Sequence, residues 1–283
     1  MEKIDRAYVL LFQCVDRMGI VAEIAGVIRG LGCNIITADQ YSTDSEGGHF
    51  FMRVEFVPEA EITDAGLTER FAPIAKRFDA AWRIHRKVDI PRMGILVSGP
   101  GHCLQEILYL WSSKELRCDI PFVISNDDRH FKLVSQYNIP FHYIRADKFN
   151  RKEEEIISHV LSQTDFLVLA RYMLVLSANF LQDYGKDIIN IHHGFLPSFK
   201  GTDPYQKALE QGVKVIGATA HFVNDRLDDG PIITQEVEVV SHKDDLAALE
   251  RKGRYLEKKA LALAIAAYLD HRVIRCGNKT IVF

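Results

Sequence analysis

At 283 residues, with 47% hydrophobic and 26% charged residues, the chain has the composition of a soluble globular protein of one large domain or two ordinary ones. A net charge of −3 excludes attachment to nucleic acid through a broad basic face, while leaving room for a local basic pocket that takes an anionic small molecule. The longest apolar run, Ala260 to Leu269, is too short to span a bilayer, and the N-terminus leads straight into a strand pattern without a signal peptide.

Ala7 to Cys14 reads as an apolar strand, followed by a turn at Gly19. Ile20, Ile24, Val27, Ile28 and Leu31 have helical spacing, and Gly32 ends that helix. Ile35 to Ser42 and His49 to Val57 read as strands joined by a turn with Asp44, Gly47 and Gly48. Leu67 to Phe78 is a second amphipathic helix and Ala81 to Arg86 a fourth strand. The order βαββαβ is that of a ferredoxin-like unit over residues 1–88.

After a linker with Pro91 the pattern changes. Met93–Val97, Ile120–Ser125, Phe141–Ile144, Phe166–Leu169 and Ile188–Ile191 are short apolar strands. Helical segments near 102–113, 128–136 and 152–162 separate the first four. This alternation predicts an α/β domain over 89–283 with a mostly parallel, Rossmann-like sheet covered on both faces. Ligands on such sheets bind beyond the carboxyl ends of the strands, which is where Asn190 and His192 fall. A long helix from about Asp244 to Leu269 and a tail that reads as an edge strand, Lys279–Phe283, complete the chain. Five scattered cysteines (Cys14, Cys33, Cys103, Cys118 and Cys276), with no Cys-x-x-Cys pair, suit free thiols in a reducing cytoplasm.

The chemistry concentrates between Asn190 and Pro231. Period-two alternation aims Asn190 and His192 the same way, so an amide N–H and an imidazole N–H can converge on one oxygen. Together with a carboxylate, these are the groups that acyl chemistry through an oxyanion requires. Asn-x-His alone is more often an ordinary strand end, and Asp228-Asp229-Gly230-Pro231 alone is a polar turn. His193, adjacent on the strand, is expected to point away from His192, and His221 to support the site from a neighbouring strand. Adjacent histidines and aspartates suggest zinc at first sight, but no His-Glu-x-x-His or Cys-x-x-Cys spacing is present, so no metal site is expected. Ser98-Gly-Pro-Gly-His-Cys lies where a dinucleotide loop would, yet lacks Gly-x-Gly-x-x-Gly.

Two resemblances sharpen this reading. Cys14-Val-Asp-Arg-Met-Gly-Ile and Gly32-Cys-Asn-Ile make the first module similar to an ACT domain. That resemblance implies pairing between modules, hence a homo-oligomer, and an effector site for an amino acid such as glycine or methionine near Asp16, Gly19 and Asn34. Asn190-x-His192, Leu196-Pro197, Lys200-Gly201 and Leu227-Asp228-Asp229-Gly230-Pro231 resemble the active site of the folate-dependent formyltransferase fold. The two modules together resemble formyltetrahydrofolate deformylases. The resemblance implies hydrolysis of 10-formyltetrahydrofolate to formate and tetrahydrofolate, in support of one-carbon metabolism and purine biosynthesis. It implies no cofactor besides the folate substrate, with Asn190, His192 and Asp228 catalytic. Arg171, Tyr172 and Met173 would line the pterin pocket, with His102, Lys200 and His221 as further substrate contacts. The family usually carries Lys and Asp just before that His102, where this chain has Gly99-Pro100-Gly101. An amine-accepting formyltransferase and a non-catalytic folate or amino-acid sensor remain as rival functions.

Overall fold

The computed structural model describes residues 6–44, 47–198 and 203–283, so Lys200 lies outside the described residues. The chain divides into two compact units. Met1–Ile90, His271–Ile274 and Ile281–Phe283 form the first; Pro91–Asp270 and Arg275–Thr280 form the second.

In the first unit, β1 (Tyr8–Val15), α1 (Ile20–Gly30), β2 (Cys33–Ser42), β3 (His49–Pro58), α2 (Asp64–Phe78) and β4 (Ala81–Arg86) follow in that order. The sheet order is β2-β3-β1-β4 with every neighbour antiparallel, the ferredoxin-like arrangement. Alternation puts Tyr8, Leu10, Phe12 and Cys14 of β1 on the same face as Phe50, Met52, Val54 and Phe56 of β3. Ile20, Ile24 and Ile28 of α1 and Leu67, Phe71 and Ile74 of α2 close over that face. Gly19, at φ 95°, makes the left-handed entry to α1 that a side chain would resist. Thr63 caps α2 by accepting a hydrogen bond from Gly66 N at 3.1 Å. The opposite face of the sheet mixes buried apolar residues, Val9 and Phe51, with polar ones: Arg53 pairs with Glu55 at 3.3 Å and donates to His271 O at 3.1 Å, while His85 and His271 stack at 3.8 Å.

The second unit contains β5 (Met93–Val97), α3 (His102–Ser112), β6 (Val123–Ser125), α4 (Phe131–Ser135), β7 (Phe141–Tyr143), α5 (Glu153–Gln163), β8 (Phe166–Ala170) and α6 (Ala178–Tyr184). It continues with β9 (Asp187–His192), α7 (Pro204–Gln211), β10 (Val215–Phe222), β11 (Ile232–Val239) and α8 (Leu246–Leu269). The sheet order is β11-β10-β9-β8-β5-β6-β7. β9, β8, β5, β6 and β7 run parallel, whereas β10 is antiparallel to both β9 and β11. β5 and β8 are buried at every position, which is why they read as unbroken apolar runs. From β5 the chain builds outward to β6 and β7 on one side and to β8 and β9 on the other. The strand order therefore reverses between β5 and β8, the place where such sheets open a ligand crevice.

Three local features differ from the sequence reading. The helix expected over 128–136 is a 3-10 turn, Asp128–His130, followed by the short α4, because His130 turns inward to bond the chain at Ser98. The seven residues of α6 carry too little periodicity to read as a helix in the sequence; Ser177 caps it by accepting from Phe180 N. The tail pairs in β13 (Lys279–Val282) with β12 (Val273–Cys276) as a separate two-stranded sheet, instead of edging a larger one.

Candidate active site

Parallel β5, β8 and β9 present their carboxyl ends along one edge, and the candidate site is built there. Asn190 and His192 close β9, and antiparallel β10 sets His221 opposite Asn190 and Thr219 opposite His192. His221 Nδ1–H donates to Phe222 O at 2.8 Å, which leaves Nε2 as an acceptor for the Asn190 Nδ2–H group at 3.2 Å. Burial lowers the His221 pKa, with the Phe222 bond in partial opposition, so the ring stays neutral in that tautomer. Asn190 is thereby held by one amide hydrogen, and the second can serve as a donor.

Asp228 stands in the turn between β10 and β11, with its Oδ2 3.3 Å from His192 Nδ1. His192 is 4% exposed and Asp228 9%. The Asp228 backbone is left-handed at φ 52°, a conformation that Asp and Asn tolerate better than most residues. Gly230 lets this turn fold back onto β10: a Cβ there would lie 1.7 Å from Phe222 O. Phe222 N donates to Pro231 O at 2.9 Å and closes the return. Asp229 instead faces Arg226 at 3.9 Å. The loop beyond His192 is tied by Thr219, whose hydroxyl donates to Gly194 O at 2.9 Å and accepts from Leu196 N at 3.1 Å. Gln235 Nε2 adds a bond to Leu196 O at 2.8 Å, and the Leu196–Pro197 peptide is cis.

A second polar group gathers on Glu257, a carboxylate on the buried face of α8 that is 1% exposed. His102 Nε2 donates to Oε2 at 2.8 Å, Arg171 Nε lies 3.3 Å from the same oxygen, and Tyr205 donates to Oε1 at 2.7 Å. Burial by itself would raise the Glu257 carboxyl, but His102, Arg171 and Tyr205 outweigh it and hold the group below the usual carboxylate range. The Cys103 thiol lies close enough that His102, Cys103 and Glu257 could in principle share a cation, their donor atoms all within 4.8 Å. The shared oxygen already faces a guanidinium and accepts from an imidazole, and burial beside Glu257 pushes the Cys103 thiol well up, so the donor set is poor for a metal.

His193, expected to point away, begins the loop beyond β9; its ring lies 5.3 Å from that of His192 and 6.0 Å from that of Tyr205. Burial and the Arg171 charge push its pKa down to about 3. Tyr172, expected as a pocket liner, turns its ring into the core cluster with Leu96, Phe122 and Leu176, so what it can offer a ligand is backbone. Arg171 is left-handed at φ 63°, and Met173 is exposed. The Ser98–Gly101 loop joins the two strand ends: Ser98 N donates to Arg171 O at 3.2 Å, and Met173 N to Ser98 Oγ at 3.0 Å. Gly101 has a specific reason, because a Cβ would sit 2.6 Å from the His130 ring, whose Nε2–H donates to Ser98 O at 2.7 Å.

The three residues expected to hold an effector do not converge within one chain. Asp16 accepts from Ser42 Oγ at 2.5 Å, at the far end of β2, and Gly19 starts α1 nearby. Asn34 lies at the beginning of β2, eight residues earlier, which is on the order of 25 Å along a strand.

Glu257, Tyr205, Thr219 and His130 were not foreseen. One signal was legible: Glu257 interrupts an otherwise apolar or small stripe of Gly253, Leu256, Ala260, Leu261 and Ala264. A charge on the buried stripe of a helix needs a partner.

Residues 91–265 match the family described as Formyl transferase, and residues 8–65 match the ACT domain. The chain is 44% identical to the formyltetrahydrofolate deformylase of Bacillus subtilis, over 97% of this chain and 93% of that protein. A solved formyltetrahydrofolate deformylase from Pseudomonas syringae pv. tomato superposes with a TM-score of 0.91 at 40% identity, covering 98% of this chain and 94% of that one. A glycinamide ribonucleotide transformylase from Symbiobacterium toebii shares 27% identity and a TM-score of 0.64, over 69% of this chain and 94% of that one. With the ACT match ahead of the formyl transferase match and near-complete coverage by enzymes of this architecture, the chain belongs to the formyltetrahydrofolate deformylase family.

Proposed function

We propose that the chain hydrolyses 10-formyltetrahydrofolate to formate and tetrahydrofolate, with Asn190, His192 and Asp228 as its catalytic residues. The observation that carries the assignment of roles is the His192–Asp228 pair at 3.3 Å, beside an Asn190 amide oriented by His221. Water oxygen attacks the formyl carbon, and the carbonyl π pair moves onto oxygen. Asn190 Nδ2–H and His192, as the imidazolium, donate to that oxyanion while Nδ1–H of His192 faces Asp228. Asp228 takes the proton lost by the attacking water. Collapse re-forms the carbonyl, breaks the C–N10 bond, and the proton passes to N10, so formic acid and tetrahydrofolate leave with atoms and charges balanced. Oriented donors aimed at the developing charge supply the larger part of the rate enhancement in such sites.

The folate would enter where β5 and β8 part. The backbone around Arg171–Met173 offers the donor–acceptor edge a pterin requires, and Arg171 supplies positive charge, with His102 as a further polar contact. Lys200 is kept as a contact for the anionic tail on the strength of the resemblance alone. No cofactor enters these steps. The five free cysteines suit a reducing, cytoplasmic setting, and no helix among the described residues is long and apolar enough to cross a membrane.

The ACT module is assigned to assembly and amino-acid response. β2 is an edge strand whose side chains are exposed over nearly its whole length, including Ile36 at 53% and Tyr41 at 48%. Such an edge is a template for pairing. Because Asp16 and Asn34 lie by opposite ends of β2, one effector site would combine them across two copies whose β2 edges pair antiparallel. Glycine and methionine are the effectors to try first.

Incubation of the purified protein with 10-formyltetrahydrofolate and no amine tests the main reading. Stoichiometric formate and tetrahydrofolate support hydrolysis; formyl transfer only after an amine is added identifies a transferase, and binding without turnover a sensor.

A further inference from the structure

Glu257 has no step in the chemistry above, yet it is the most buried charged side chain among the described residues. Its partners come from three separate segments: His102 at the start of α3, Arg171 directly after β8, and Tyr205 in α7. Tyr205 continues the connection, since its ring lies 6.0 Å from that of His193, which is 5.3 Å from that of His192. The helix is shaped for this contact. A Cβ at Gly253, one turn before Glu257, would lie 2.0 Å from the Tyr205 hydroxyl and 2.1 Å from its ring carbon Cζ. A glycine inside a 24-residue helix is unfavourable by itself, and here it makes the space through which Tyr205 reaches the carboxylate.

We infer that Glu257 is a positioning residue for the deformylase reaction, clamping the segments that carry His102, Arg171 and Tyr205 so that the substrate-binding rim and the His192 loop keep one arrangement. The inference rests on the hydrolytic reading above, because turnover is its readout. A buried ionic group replaced by apolar residues often costs a fold nothing, so stability alone gives little reason to hold a carboxylate there. A shared anchor for three loops does give one, since a misplacement of about 1 Å can cost roughly 10²-fold in rate.

The test uses the full-length protein and steady-state formate release, with thermal unfolding followed in parallel. Glu257→Gln keeps the volume and removes the charge; kcat/KM should fall about 10²-fold, with a rise in KM forming part of the loss. A reduced folded fraction lowers apparent kcat and leaves KM unchanged, so the KM rise separates positioning from simple destabilisation. Tyr205→Phe removes a single hydrogen bond to a charged group and should cost about tenfold. Gly253→Ala alters no polar group and favours the helix, yet must displace Tyr205. It should match Tyr205→Phe in kinetics, and the double variant should be no worse than either single one. If Glu257→Gln fails to fold, the Gly253 and Tyr205 variants decide. Wild-type KM in every folded variant, or additive losses in the double variant, would overturn the inference. Absence of formate release from the wild type would instead sink the hydrolytic reading.

Discussion

Replacing Asp228 by Asn separates the proposed acid–base pair from its turn. The backbone at Asp228 is left-handed at φ 52°, where Asn is tolerated and Ala would add strain, so Asp228→Asn isolates the charge. The carboxylate oxygen is 3.3 Å from His192 Nδ1. Two unit charges at that separation, with an effective dielectric of about 20, attract by about 5 kcal/mol. Part of this is offset by desolvation of a carboxylate that is 9% exposed, so we take about 4 kcal/mol as the loss of support for the imidazolium in the transition state. That is a fall of roughly 10³-fold in kcat. The general-base function disappears in the same substitution, which pushes the loss further. The control is Asp229→Asn, whose partner Arg226 lies 3.9 Å away with 77% of its side chain exposed; it should change turnover by less than about threefold. Formate release and thermal midpoints of the two variants, measured side by side, are sufficient. Asp228→Asn with more than about a tenth of wild-type kcat, or a larger loss from Asp229→Asn, would refute the assignment of Asp228 as the working carboxylate.

Asn190→Ala should leave the fold intact and slow turnover by about 10²- to 10³-fold, the usual cost of one oxyanion donor, with wild-type kcat removing Asn190 from the mechanism. Gly230→Ala must push the turn off Phe222 O, so it should lower stability by about 1–3 kcal/mol and cut activity through Asp228; a wild-type thermal midpoint would show that the turn has room for a side chain. His271 is held down to about 3 by burial and by His85, Arg53 and Lys87, against 6.5 for the free side chain. Its folded pKa is depressed, so the unfolded chain binds the proton first and stability falls as pH drops from about 6.5 toward 3, by up to about 1.4 kcal/mol per pH unit. His271→Asn, which suits φ 52°, should flatten that dependence of the unfolding midpoint, and an unchanged slope would mean that His271 is protonated in the folded protein. Prolonged dialysis against a strong chelator should leave turnover unchanged; loss restored by zinc would redirect attention to His102, Cys103 and Glu257.

Much of the architecture is a local property of the chain. Period-two runs such as Tyr8, Leu10, Phe12 and Cys14 can bury one face only as strands. Four-residue spacing in Ile20, Ile24 and Ile28 can do so only as a helix, and Gly19 and Gly32 punctuate between them. The same alternation determined that Asn190 and His192 share a direction. What lay beyond the sequence are contacts set by sheet register and by helix docking. Asp228 is 36 positions from His192, and its approach depends on β10 pairing with β9 and on a turn folding back over Gly230. His221 orients Asn190 only because antiparallel pairing sets them opposite, a register that one residue of slip would reverse. Asp16 and Asn34, read together from two motifs of one module, are separated by the length of β2, since a strand carries its two ends apart. Glu257 marks the same boundary: its charge on an apolar stripe was visible in the chain, but its three partners are 155, 86 and 52 residues away, and only the packing of α8 against the strand ends brings them to one carboxylate.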